Sequence, residues 1–137
     1  MAYRVLVCGG RAPRELVDRE LDRIAGRVAP RPVALVVPAA KSGDAPRRAE
    51  AWAGRAGADV EVYATDYPRL SRSAAAVDRA VRMLREGKPD LVLAFVGLGS
   101  TDLTERAQRM GVPVRIVPTA QPVGPRLAAL RRRRPAV

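Results

Sequence analysis

Short apolar runs alternate with amphipathic stretches along most of the chain, and this alternation leaves few folds open. An apolar run of five or six residues fits a strand buried on both faces. A stretch with apolar residues every three or four positions fits a helix with one face on a sheet. Strand-like segments fall at residues 3–8, 33–37, 59–64, 91–96 and 112–117. Between them the spacing predicts helices. The first, over residues 13–28, carries its stripe on Val17, Leu21, Ile24 and Val28, with Pro13 in the first turn. The second carries Ala49, Trp52, Ala53 and Ala56, with Asp44 as N-cap and Gly57 as stop. The third, over residues 73–86, would bury Val77, Ala80, Val81 and Leu84, and the fourth Leu103, Ala107 and Met110.

Strictly alternating strands and helices specify an α/β fold with a parallel sheet. Right-handed crossovers then predict a Rossmann-like three-layer fold with five strands in the order 3-2-1-4-5. In that order the first and fourth strands are neighbours at the point where the chain reverses direction across the sheet, and the loops after them face one crevice.

Composition narrows the chemistry. At 137 residues with 47% hydrophobic content, the chain has material for one ordinary domain. There is one cysteine, Cys8, and no histidine. An internal disulfide, the usual zinc sets, and Ser-His or Cys-His catalysis are therefore excluded, and no metal site is expected. Cys8 lies in an apolar run and is read as a core residue. No 18-residue apolar stretch suggests a membrane span, and the N-terminal apolar run is short for a signal peptide. A cytoplasmic protein is the expectation, with self-association left open. Of the net charge of +11, Arg126 and Arg131 to Arg134 contribute five, leaving +6 on residues 1–117. The organisation expected is a Rossmann-like domain over 1–117 and a Pro- and Arg-rich basic tail, poorly ordered, over 118–137.

The candidate ligand-binding residues lie in the loops after the strands. Gly9, Gly10 and Arg11 follow the first strand, where glycines let backbone N–H groups approach a phosphate and an arginine can clamp it. Gly97, Gly99, Ser100, Thr101 and Asp102 follow the fourth, combining a glycine-rich turn, two capping hydroxyls and a carboxylate in a first helical turn. Lys41, Ser42, Gly43 and Asp44 follow the second strand, and Asp66, beside Tyr67, follows the third. The ligand expected is a small phosphate-bearing molecule of nucleotide type. Neither the GxGxxG fingerprint nor a P-loop lysine motif is present.

The segments 4–11, 51–53, 87–95, 97–103 and 111–114, in this order, resemble the SLOG superfamily of Rossmann-like ligand-binding domains, in its YspA/YpsA-related branch of short proteins. The resemblance covers about residues 3–117. It implies a binding or sensor module for a nucleotide or nucleotide-derived molecule. The loop Pro38-Ala39-Ala40-Lys41-Ser42-Gly43-Asp44 departs from the family's glycine-richer loop. The catalytic glutamate of phosphoribohydrolase relatives corresponds to Leu103, so the resemblance implies binding rather than hydrolysis. Two alternatives stay open on the sequence. One is an N-glycosidic or phosphoribosyl hydrolase using carboxylates among Asp44, Asp66, Asp102 and Glu105. The other is nucleic-acid binding through the arginine-rich tail.

Overall fold

A computed structural model describes residues 1–65, 71–97 and 102–119. Nine elements follow one another as β1 (Tyr3–Gly9), α1 (Arg14–Val28), β2 (Val33–Pro38), α2 (Ala45–Ala56), β3 (Asp59–Tyr63), α3 (Arg72–Arg85), β4 (Leu91–Val96), α4 (Asp102–Arg109) and β5 (Val114–Pro118). All strand pairs are parallel, and the sheet order is β3-β2-β1-β4-β5. This is the Rossmann-like α/β fold that the alternation of segments predicts.

The three layers follow from the strand residues themselves. Odd positions of β1, Val5 and Val7, join Leu35, Val37, Leu93 and Phe95 in a core closed by Val17, Leu21 and Ile24 of α1 and Ala49, Trp52 and Ala53 of α2. Even positions, Leu6 and Cys8, join Val36, Val92, Ala94 and Val96 under Met83 and Leu84 of α3 and Ala107 of α4. Because β1, β2 and β4 are covered on both faces, they read as unbroken apolar runs. The edge strands β3 and β5 alternate with exposed positions such as Val62 and Ile116.

Four helix positions differ from the periodic reading; one is Val81, which is only partly buried and belongs to neither core cluster. Val77 is 39% exposed, because α3 turns Ala75, Ala80, Met83 and Leu84 inward and presents Val77 to the crevice. Met110 is half exposed because α4 stops at Arg109, and the helix buries Thr104 and Ala107 instead. Ala56 is exposed at the last turn of α2. Asp44 has the backbone of an N-cap but its side chain makes no capping hydrogen bond. Ser71, which the sequence reading passed over, caps α3 by accepting from the Ala74 N–H at 3.3 Å.

The outer strand β5 is tied to α1 by one ion pair. Glu20, buried on α1, accepts from Arg115 Nε at 2.8 Å and from Nη2 at 3.4 Å. The Arg115 hydrogen bond, opposed by burial, holds the Glu20 carboxyl below the ordinary glutamate range. A lowered folded-state pKa adds stability above the unfolded carboxylate pKa and loses it as the pH falls through the folded value. Arg115→Gln should cost about 1–3 kcal/mol at neutral pH by leaving a buried carboxylate poorly matched, and should flatten the acid limb of stability against pH. Urea denaturation at pH 7 and pH 4 checks both, and parallel curves for the two proteins would be inconsistent with this role.

The glycine pair at the end of β1 has a sharp division of labour. Gly9 has φ +128°, and a β-carbon there would overlap the carbonyl oxygen of Phe95 on β4 and lie 2.8 Å from its carbonyl carbon. Nothing lies within 4 Å of a β-carbon on Gly10. Gly9→Ala should therefore destabilise by more than about 3 kcal/mol, while Gly10→Ala should stay within about 0.5 kcal/mol of the parent. Chemical denaturation of the two variants separates them.

Candidate functional site

The crevice lies on the α3–α4 face, beside the point where the chain changes direction across the sheet, between the C-terminal ends of β1 and β2 and the helices α3 and α4. It is a cleft of about 740 Å³. Cys8 and Gly9 form part of its floor, and Pro38, Ala39, Ala40, Lys41, Asp44 and Pro46 one wall. Ser73, Ala76, Val77, Arg79, Ala80 and Met83 of α3 face them, with Asp102 and Leu103 of α4 at the end. Ligand sites in open α/β sheets occupy this position because adjoining helices depart to opposite faces there.

Local hydrogen bonds hold the walls. The Ala39 N–H donates to the Tyr63 carbonyl at 2.8 Å, continuing the β2–β3 pairing into the loop. Arg79 donates to the Ala39 carbonyl at 3.3 Å, and Arg82 to the Ala64 carbonyl at 2.7 Å. Two arginines of α3 thus anchor the ends of β2 and β3. Residues 41–44 close a turn through the Asp44 N–H and the Lys41 carbonyl at 3.1 Å. Gly43 sits in this turn at φ +92°.

The sequence candidates divide between two sides of this loop. An isolated antiparallel bridge joins Arg11 to Asp44. Across it the Ala45 N–H donates to the Gly10 carbonyl at 2.8 Å, and the Ala12 N–H to the Gly43 carbonyl at 3.4 Å. Gly9, Lys41, Asp44 and Asp102 line the cleft. Ser42 and Gly43 line a separate shallow hollow on the α2 side, and Arg11 places Nη2 3.8 Å from where a β-carbon on Gly43 would stand. Gly10 turns its carbonyl to α2, and Gly97 is exposed at the end of β4 without lining the cleft. Asp66, Gly99, Ser100 and Thr101, with Tyr67 and residues 120–137, lie outside the described residues.

Charge in the cleft is mixed. Asp102 is held by Arg106 at 2.7 Å, a helical i,i+4 pair. Lys41 is exposed and makes no ion pair among the described residues. An ammonium on one rim, hydroxyl and carboxylate groups beside it and an apolar wall of Val77, Ala80, Met83 and Leu103 suit a ligand with both an anionic group and a flat apolar part. Among the described residues no cluster of three His, Cys, Asp or Glu side chains could hold a metal ion. No described helix is long and apolar enough to cross a membrane.

Sequence reasoning missed Ser73, Ala76, Arg79 and Met83. They sit on the face of α3 that covers the crevice, and their 3-residue and 4-residue spacing from 73 to 83 was the available signal. No protein-family model, curated protein or solved structure matches the chain. The fold and cleft define its class: a Rossmann-like three-layer α/β protein with a crevice at the strand-order switch point.

Burial pushes the Cys8 thiol up to about 12, so at neutral pH the sulfur on the cleft floor is a neutral thiol and not a nucleophile. A raised thiol pKa supports the folded state below the unfolded value and withdraws that support as the pH rises past it. At pH 8, Ellman's reagent should label Cys8 in the native protein more than 100-fold slower than in denaturant, by the suppressed thiolate fraction alone. Equal rates in both conditions would contradict a buried, protonated thiol.

Proposed function

We propose that this chain is a cytoplasmic binding or sensor module of SLOG type, which takes a nucleotide or nucleotide-derived molecule into the cleft between β1, β2, α3 and α4. The observation that carries the reading is that Gly9 at the end of β1, Lys41 and Asp44 in the β2–α2 loop and Asp102 at the start of α4 line one cleft of about 740 Å³ beside the switch point.

In this reading the Lys41 ammonium takes the anionic phosphate. Asp44 and Ser73 face sugar hydroxyls, and the base lies on Val77, Ala80 and Met83. Binding rather than hydrolysis fits the cleft's composition. Leu103 stands where the hydrolase relatives of the resembled family carry glutamate, and the Asp102 carboxylate is already engaged by Arg106.

A thermal-shift panel of nucleotides and nucleotide-derived compounds tests this. Ala76, exposed on α3 and lining the cleft, provides a blocking variant that leaves the core untouched. A binding compound at 100 times its Kd should stabilise the parent by about 2.7 kcal/mol. Ala76→Phe should abolish the shift, and Lys41→Gln should weaken binding of phosphorylated members about tenfold or more. No shift with any compound, or a shift surviving in Ala76→Phe, would rule out the cleft as a nucleotide site. Release of free base from a nucleoside monophosphate, lost in Asp44→Asn, would replace the sensor reading with a hydrolase.

A further inference from the structure

On the far side of the β2–α2 loop from the cleft, arginines collect without enough acids to match them. Arg14, Arg47, Arg48 and Arg55 surround Ser42 and Gly43 in a shallow hollow of about 260 Å³, and Arg11 reaches toward Gly43 from the β1–α1 connection. Elsewhere on the domain several arginines are matched one to one with carboxylates: Arg4 to Glu61 at 2.6 Å, Arg82 to Asp78 at 2.9 Å, Arg106 to Asp102 at 2.7 Å, and Arg115 to Glu20 at 2.8 Å. Arg19, Arg27, Arg85 and Arg109 make no ion pair among the described residues, but they do not gather around one hollow. Here Arg14 and Arg55 share the one carboxylate of Asp18, at 3.5 and 2.8 Å. Arg47 has Glu50 at 3.6 Å, Arg48 donates only to the Ala12 carbonyl at 3.2 Å, and Arg11 makes no ion pair among the described residues. Five guanidinium groups face two carboxylates.

Two of these cations also stand where they cost stability. Arg47 and Arg48 occupy the first turn of α2, which holds no acid, and the Asp44 side chain does not cap it. A helix N-terminus carries partial positive charge and favours acids there by about 0.3–1 kcal/mol each. Cations placed against that field concentrate positive potential over the hollow and leave it to be neutralised by something outside the chain.

We propose that this α1–α2 face is a second anion site, separate from the cleft, that binds the phosphodiester backbone of a nucleic acid. Arg47, Ala51 and Arg55 lie at four-residue steps on one side of α2, so the two guanidinium groups are anchored about 12 Å apart along the helix. Arg11 and Arg14 flank that line. An extended strand of regularly spaced phosphates meets such a row with charge-assisted hydrogen bonds and releases counterions. Recognition is of backbone and not of base, since the hollow offers no aromatic ring for stacking.

The test is fluorescence anisotropy of the full chain with labelled single-stranded and duplex oligonucleotides across a salt series. Arg11→Gln/Arg47→Gln removes two cations that make no bond to another element through an acid, and unchanged thermal unfolding verifies its fold. With duplex, the slope of log K against log salt should become shallower by about 1.8 in this variant, at about 0.9 per phosphate. Ala76→Phe, which blocks the cleft, should leave the slope unchanged, so the two sites fail or hold independently. Three results would overturn the proposal: no oligonucleotide binding at 20 mM salt; a slope unchanged in Arg11→Gln/Arg47→Gln but lost when Arg131 to Arg134 are all replaced by Gln; or displacement by polyglutamate as effective as by unlabelled oligonucleotide, which would assign the face to an acidic protein.

Discussion

The close approach of β1 to β4 at Gly9 governs the top of this molecule. Strands β1 and β4 pair from Val5 and Leu91 through to Gly9 and Phe95. The last step of that ladder exists only because Gly9 carries no side chain to strike the Phe95 carbonyl. Pairing to the very end brings the chain exits of β1 and β4 side by side. From there β1 leads to α1 on one face, while α4 follows β4 on the other. The crevice opens on the α4 side, between the ends of β1 and β2 and the helices α3 and α4. Gly9, the last residue of β1, is thus needed for the sheet, whatever the cleft binds.

The β2–α2 loop acts as a partition. Stitched to β1 through Gly10 and Ala12, it shows Lys41 and Asp44 to the cleft and Ser42 and Gly43 to the arginine hollow. A loop fixed by a two-bond bridge is a poor lid but a good wall, and it keeps two anion-attracting surfaces apart within four residues of sequence. The positive φ of Gly43 allows the turn that reverses which side the chain faces.

The fold was legible because three central strands are buried on both faces and the loops between elements are short, so apolar runs and helical stripes separate cleanly. Strand order followed from crossover handedness and was correct to the last strand. The misread positions lie at element ends and over the crevice. Met110 depends on where α4 stops, and Val77 depends on an opening in the α3 layer that no periodicity reports. For the site, the sequence names candidates in the loops after the strands but does not say which way each loop faces. Consecutive residues in a turn point to opposite sides, so Lys41 and Ser42 part company. Arg79 escaped notice because a helical arginine reads as solvated surface until its helix is laid over the ends of the strands.

The two surfaces also differ in what holds their charges. In the cleft, Arg79 is fastened to a strand-end carbonyl and Asp102 to Arg106, so ligand binding there draws on a preorganised wall with the exposed Lys41 on its rim. On the α1–α2 face the guanidinium groups are only partly matched by acids: Arg14 and Arg55 share Asp18, and Arg11 makes no ion pair among the described residues. Preorganisation suits a small ligand of fixed shape, for which every immobilised side chain adds to selectivity. Adaptable, under-neutralised cations suit a long anion whose charges arrive at variable spacing, where affinity comes from counterion release more than from geometry. A single domain can carry both because the sheet and the bridged β2–α2 loop keep the Arg47 and Arg48 field on the opposite side from Lys41.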